Sequence, residues 1–419
     1  MDIILFFTFF AIRILIFPKR CAMMILPYKE DYRMKKGFSC LLAGVIVLGG
    51  AALFAGGGNV KDGFAEEGAL AAEQEVVAQA QEALAERASS QSSVSGPEVN
   101  GDYLSPLVTL RADPYLYKHN GKYYFTGSYP EYDRIELTCA DSVNGIAAAV
   151  PKTVWTKPDY AMHVWAPEIH YIMGEWVIYY ACSENGAWDI KCYALRCKGQ
   201  DPMHDEWEYM GKIKTAEGDS FSNNSGMSLD MTVFENAGKW YAIWAQKPGA
   251  SNLYMAELED PFTLKTHSIL LTKPEYDWEK GGGEHVNEGP AVMKHAGKIF
   301  VSFSAARTDA NYCMGLLEID ETDDPMVIEN WKKYPEPVFK SDPELKIYGP
   351  GHNCFVEGDE GEQLCVVHFR DYKDISGDSL YDFNRHAHVM KVTFDRHGVP
   401  KFHFDPDDLY NSQYTDHNK

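Results

Sequence analysis

The sequence predicts an all-β fold, a five-bladed β-propeller, preceded by an N-terminal hydrophobic segment and a helical and linker spacer. Three observations lead there. One pattern recurs five times between Asp113 and Phe369: a polar or acidic residue, a short apolar run, a Gly-containing turn and an aromatic-rich run. Aromatic residues make up 13% of the 419-residue chain, 25 of them Tyr, which suits half-buried strands. No long amphipathic helical period lies between the copies.

Residues 1–58 are the first element. MDIILFFTFFAIRILIF is apolar apart from Asp2 and Arg13, and a second apolar run, FSCLLAGVIVLGGAALFAGGG, follows Lys35 and Lys36. A basic pair before an apolar run reads as the n- and h-regions of an export signal. Met34 is then an alternative start, with residues 1–33 an upstream extension. Cleavage after Ala55 would leave Leu53 where a small residue is usual. The run from Phe38 to Gly58 is also long enough to cross a bilayer. Cleaved signal and retained membrane anchor both stay open. Either places the rest outside the cytoplasm, as an extracellular protein that is secreted or membrane-anchored.

Residues 59–102 are the second element. FAEEGALAAEQEVVAQAQEALAER is rich in helix formers, and Leu70, Val77 and Leu84 give only a narrow stripe. SSQSSVSGPEVNG then reads as a flexible linker. This spacer carries no chemistry.

Residues 103–410 hold the five copies. They are DPYLYKHNGKYYFTGS from Asp113, EIHYIMGEWVIYYACS from Glu168, DMTVFENAGKWYAIWAQ from Asp230, EGPAVMKHAGKIFVSFSA from Glu288 and the diverged NCFVEGDEGEQLCVVHF from Asn353. Their spacings are 168 − 113 = 55, 230 − 168 = 62, 288 − 230 = 58 and 353 − 288 = 65 residues. Each copy reads as a β-hairpin around a turn such as Asn120-Gly121 or Ala237-Gly238. Units of this length match propeller blades with long loops. A β-sandwich would not explain five near-equal units.

In a propeller the innermost strand of each blade lines a central channel, so the five copy starts converge at one end of it. Four of those starts carry Asp or Glu. Alone, Asp113 before Pro114 is an ordinary turn residue and Glu288 before Gly289 an ordinary loop carboxylate. Crowded acids raise the pKa of at least one of their number. Glycoside hydrolysis needs such a pairing, one carboxyl to protonate the leaving oxygen and one carboxylate to activate water or attack the sugar. The candidate catalytic residues are Asp113, Asp230 and Glu288.

Five stretches, RADPYLYKHNGKYYFTGS, WAPEIHY, SLDMTVFENAGKWYAIWAQ, NEGPAVMKHAGKIFVSFSA and YGPGHNCF, together resemble the family-43 glycoside hydrolases over residues 105–407. The resemblance implies a five-bladed propeller and an inverting enzyme. It makes Asp113 the general base, Asp230 the carboxylate that orients the acid and adjusts its pKa, and Glu288 the general acid, with base and acid roughly 6.5–9.5 Å apart. It makes Trp165 a wall of the pocket and gives Glu168, in the same motif, a hold on sugar hydroxyls or a bracing role. His352, in GPGHN, matches a position that faces a metal ion, usually calcium, on the propeller axis; no cofactor is required for the chemistry. The stretches YPEYDRIEL and HFRDYKDISGDSLYDFNRHAHVMKV resemble members acting on arabinose side chains. They bring in Tyr132 at the pocket rim, with Arg370 and Arg385 reaching sugar hydroxyls or the third carboxylate.

The implied activity is release of terminal α-L-arabinofuranosyl units from arabinan or arabino-oligosaccharides, so the partner is a plant-type polysaccharide or oligosaccharide. β-Xylosidase and endo-arabinanase are alternatives within the family, and a non-catalytic carbohydrate-binding propeller is the alternative outside it. Long inserts such as 131–160 and 371–386 favour a walled pocket over an open groove. A net charge of −22 excludes nucleic acid as partner and fits a neutral glycan. Of nine cysteines, Cys21 and Cys40 lie in the N-terminal hydrophobic region, and the seven from Cys139 to Cys365 show no paired metal-binding spacing. Cys192 and Cys197 are close enough in sequence to bridge, but buried free thiols are the default reading.

Overall fold

The computed structural model describes residues 102–410 except residue 187 and residues 220–226. The predicted export segment and nearly all of the spacer lie outside the described residues. The structure is the five-bladed propeller that the repeats predict. Blade 1 comprises β1 (Ala112–His119), β2 (Lys122–Ser128), β3 (Arg134–Ala140) and β4 (Lys152–Thr156). Blade 2 comprises β5 (Met162–Ile172), β6 (Glu175–Ser183), β7 (Ile190–Cys197) and β8 (Trp207–Lys212). Blade 3 comprises β9 (Met227–Asn236), β10 (Lys239–Lys247), β11 (Asn252–Asp260), β12 (Thr263–Leu264) and β13 (Ile269–Thr272). Blade 4 comprises β14 (Asn287–His295), β15 (Lys298–Ala305), β16 (Cys313–Asp320) and β17 (Lys332–Lys333), and blade 5 comprises β18 (Tyr348–Glu357), β19 (Gln363–Arg370) and β20 (His386–Lys391). Every blade is an antiparallel meander.

The turn between the first two strands sets each register. In blades 1 to 4 it has two residues, Asn120-Gly121, Met173-Gly174, Ala237-Gly238 and Ala296-Gly297, and both residues of every pair have positive φ. That is the type I′ turn, whose twist matches the strands it joins. The second residue is glycine each time because the left-handed region costs it nothing. Blade 5 uses a longer loop, Gly358–Glu362, between Glu357 and its register partner Gln363. This insertion is why the fifth copy looks diverged.

The middle strands are buried on both faces, and their alternation builds the core. In β6, Val177 and Tyr179 join one apolar cluster with Ala242 and Trp244 of blade 3, while Ile178 and Tyr180 join another with Ile135 and Leu137 of blade 1. β15 likewise sends Val301 and Phe303 to blade 3 and Phe300 to blade 5. Leu364 and Val366 of β19 meet Leu116 and Phe125 of blade 1. Five apolar clusters therefore fill five blade interfaces, and each fully buried large side chain contributes roughly 1.5–3 kcal/mol. The same alternation puts Cys192 and Cys197, five residues apart on β7, into different clusters. They are free thiols and cannot bridge.

The ring closes on itself. β1, β5, β9, β14 and β18 each contact the next, and β18 contacts β1. Blade 5 gains its outer edge from residues ahead of β1. Leu107 N–H donates to Ala387 O at 2.8 Å, and Ala387 N–H donates to Val108 O at 2.8 Å. No helix among the described residues is long and apolar enough to cross a membrane.

Candidate active site

A shared backbone distortion positions the site. Each inner strand is bulged near its start, and at the bulge common to all five a residue turns through the left-handed region: Asp113 (φ 54°), Ala166 (42°), Asp230 (55°), Gly289 (53°) and His352 (46°), with His163 (60°) and Gly349 (63°) as second such residues in β5 and β18. For a residue with a Cβ this conformation costs of order 1–2 kcal/mol. Three of the four at the common bulge that carry one, Asp113, Asp230 and His352, line a single cavity on the axis. Local strain at a functional cavity is held in place by the sheet around it.

This register corrects the sequence alignment of the copies. Asp113 and Asp230 are structural equivalents, but Glu288 stands one residue before its blade's equivalent, Gly289. Glu168 stands two residues after Ala166. Asn353 follows His352 and bonds Ser302 through its side chain at 2.8 Å. The pattern of acidic copy starts was therefore only half a structural equivalence. Glu288 still reaches the cavity, but Glu168 does not. Its carboxylate, buried beyond the bulge, sits 2.9 Å from His170 Nε2, and His170 Nδ1 lies 3.3 Å from the Tyr115 hydroxyl. Glu168 braces the interior of blades 1 and 2 and is not among the residues lining the pocket.

The cavity, about 200 Å³, is lined by all three candidate carboxylates together with Tyr132, Trp165, His352 and Arg385. Asp113 receives a hydrogen bond from Ser128 Oγ at 2.5 Å, and its Oδ1 lies 3.3 Å from His352 Nδ1 and 3.6 Å from Arg385 Nη1. Burial alone would push its carboxyl up, but the surrounding cations and the Ser128 bond outweigh burial and hold it at about 2. Arg385 and His352 supply that charge. His368 does not, because its Nδ1 accepts the Asp113 amide at 3.0 Å, and burial and Arg385 hold the ring neutral.

The other two carboxyls behave oppositely. Burial raises both Asp230 and Glu288, the negative charge of Asp113 adds to the effect in each, and the two titrate together. Asp230 accepts from the Gly289 amide at 3.0 Å, and Glu288 accepts from the Tyr312 hydroxyl at 2.9 Å. Asp230 is the more buried of the pair, whereas Glu288 keeps an open face to the cavity. The site thus sets one carboxyl pushed down beside two pushed up, the asymmetry that acid–base assistance at a single bond requires.

The two arginines divide. Arg385 lines the cavity, donates to the Tyr132 hydroxyl at 2.9 Å and stands beside Asp113, not beside Asp230. Arg370 is buried outside the cavity. It donates to Thr308 O at 3.1 Å, Ser379 O at 2.8 Å and Asp382 O at 3.1 Å, and pairs with Asp382 Oδ1 at 3.3 Å. Its task is to pin the 371–385 loop, whose Asp378, Ser379 and Leu380 wall the pocket. Tyr132 donates to Leu380 O at 2.5 Å and holds the same wall. Arg370→Ala is expected to cost about 3–5 kcal/mol, as when one partner of a buried ion pair is removed. Urea unfolding monitored by circular dichroism measures it; a loss below 1 kcal/mol would remove the pinning role.

The predicted calcium position at His352 can be tested against the donors present. Burial disfavours the charged ring, but Asp113, Asp230, Glu288 and Glu168 outweigh it and raise His352 above its ordinary value. Calcium prefers an oxygen cage, and one imidazole is a poor site for it by itself. No group of three His, Cys, Asp or Glu among the described residues is arranged to hold a metal. Protein side chains alone therefore build no oxygen cage around His352, and the carboxylates that face the ring favour its charged form.

Sequence reasoning missed Ser128, Tyr312 and His368, and also Lys247, which ends β10 and lines the cavity. Ser128 ends β2 and accepts the Ala166 amide at 2.8 Å while donating to Asp113, so it ties two bulges together. Ser128 and Lys247 end β2 and β10, Tyr312 directly precedes β16 and His368 lies within β19, and these positions beside the inner strands are the only signal that could have flagged them.

Residues 103–400 match Glycosyl hydrolases family 43. The chain belongs to that family. Among its relatives, the extracellular exo-α-(1→5)-L-arabinofuranosidase of Streptomyces avermitilis is 40% identical over 310 residues, covering 72% of this chain and 63% of its own length. The protein of the same name from Streptomyces chartreusis is 42% identical over 286 residues, covering 66% of this chain and 85% of its own. The crystal structure of an α-L-arabinofuranosidase from Lactobacillus brevis, 45% identical, superposes with a TM-score of 0.68 over 72% of this chain and 96% of that one. The chain thus spans less than two thirds of the length of the Streptomyces avermitilis relative.

Proposed function

We propose that the protein is an inverting, exo-acting α-L-arabinofuranosidase that removes terminal arabinose from arabinan or arabino-oligosaccharides. One observation carries the reading: a carboxyl pushed down, Asp113, and two pushed up, Asp230 and Glu288, face one small cavity walled by the 371–385 loop. Asp113 activates water as general base, Glu288 protonates the leaving oxygen, and Asp230, coupled to Glu288, keeps that proton available. Arg385 and His352 hold Asp113 charged, and Trp165 and Tyr132 wall the sugar. A cavity of this size suits one terminal sugar. The names of the family-43 relatives support arabinose and an extracellular setting, with the N-terminal apolar run as signal or anchor ahead of a spacer. No cofactor enters the chemistry.

Hydrolysis of aryl α-L-arabinofuranoside, but not of aryl β-D-xyloside, is the expected result, with the β-anomer of arabinose as first product by NMR. Retained configuration, or falling arabinan viscosity without free arabinose, overturns it. The pH dependence of kcat/KM is a second test. Asp113 keeps its charge down to about pH 2, so activity persists on the acid side. It falls as pH rises through the raised value of the Asp230–Glu288 pair, where the acid loses its proton. An acid limb near 4, the ordinary carboxylate range, assigns the base elsewhere.

A further inference from the structure

A large aromatic side chain stands at the cavity mouth with no assigned task. Trp188 lies in the turn between β6 and β7 and is 54% exposed, yet its ring lines the cavity. Its ring neighbours among the described residues are His163, stacked at 5.1 Å and 23°, and Trp165 at 6.3 Å. His163 is buried and is itself 4.8 Å from Trp165. The three rings form a continuous wall that begins in the pocket at Trp165 and ends in solvent at Trp188. Other exposed aromatics near the mouth, Tyr160, Tyr381 and Phe383, do not line the cavity.

We infer that Trp188, backed by His163, is the platform for the second sugar of the substrate, the one that departs as leaving group. The inference rests on the exo reading above. In a pocket closed around one terminal sugar, the remaining chain leaves through the mouth, past the residue that lines it. A furanose presents an apolar C–H face, and an indole with a free face is the surface it packs against. A glycan leaving through the mouth would cover the exposed part of Trp188. Trp188 is one residue from the end of a short turn, and the stacked His163 fixes the ring's orientation so that little freedom is lost on binding. The wall therefore selects arabino-oligosaccharides over single arabinosides, and it does so through binding rather than through the bond-breaking step.

Trp188→Ala and Trp188→Phe test this with arabinotriose and methyl α-L-arabinofuranoside as paired substrates. Trp188→Ala is expected to lose about tenfold in kcat/KM on arabinotriose, the scale of one aromatic contact. The loss appears in KM and is several-fold larger than on the methyl glycoside, and Trp188→Phe recovers most of it. Equal losses on both substrates, no loss on arabinotriose, or a loss confined to kcat overturns the platform while leaving the arabinofuranosidase reading intact. Wild-type protein that cleaves neither glycoside overturns that reading and the platform with it.

Discussion

Glu288→Ala is expected to lower kcat/KM on arabino-oligosaccharides by about 10²–10⁴-fold, the usual value of one proton-transfer role, and to cost far less on aryl arabinofuranosides. The difference follows from what the acid does. A sugar alkoxide is a poor leaving group and needs its proton as the bond breaks, whereas a nitrophenolate departs without one. Glu288 is placed for this role by its open face to the cavity and by the Tyr312 hydroxyl at 2.9 Å, which fixes the carboxyl's orientation. Steady-state kinetics on a series of aryl leaving groups measures the effect. Equal loss on every leaving group would take the acid role from Glu288. A steeper dependence of rate on leaving-group pKa in the variant than in wild type is the matching signature.

Asp113→Asn is expected to remove a comparable factor, about 10²–10⁴, but from good and poor leaving groups alike. Attack by water is common to all substrates, and an amide cannot take the proton. The variant also uncovers the cations that surround Asp113. His352 and Arg385 lie 3.3 Å and 3.6 Å from its Oδ1, and a neutral side chain there leaves both less compensated in a buried place. A lowered melting temperature therefore accompanies the loss, and rates are to be compared on folded protein verified by circular dichroism. An Asp113→Asn enzyme that kept activity on aryl substrates would move the base to another residue.

The fold was legible because its signal is repeated. Aromatic-rich apolar runs in the middle strands, a Gly at the second position of four hairpin turns and near-equal spacing all report the same unit. The site was legible for a narrower reason: Asp113, Asp230 and Glu288 fall close to those repeat boundaries. The offsets were not legible. Nothing local distinguishes Glu288, one residue before the left-handed position, from Glu168, two residues after Ala166, yet one reaches the cavity and the other pairs with His170. A bulge shifts which side chains face the axis, and it is specified by neighbouring sheets as much as by the strand itself. Arg370 and Arg385 show the same limit. Both flank the same loop, and only the direction in which each strand end points decides that one pins the wall and the other stands beside Asp113.

The joining of Val108 to Ala387 has a kinetic corollary. These partners are 387 − 108 = 279 residues apart in the chain, so the contact that seals the circle is among the most remote in sequence. Remote contacts are entropically expensive to form early. Blades 1 to 4 are each built from neighbouring hairpins and can assemble as the chain emerges. The clasp must wait for blade 5, and until then the apolar flanks of blades 1 and 5 stay uncovered. The vulnerable interval for aggregation during biogenesis is therefore the one just before closure.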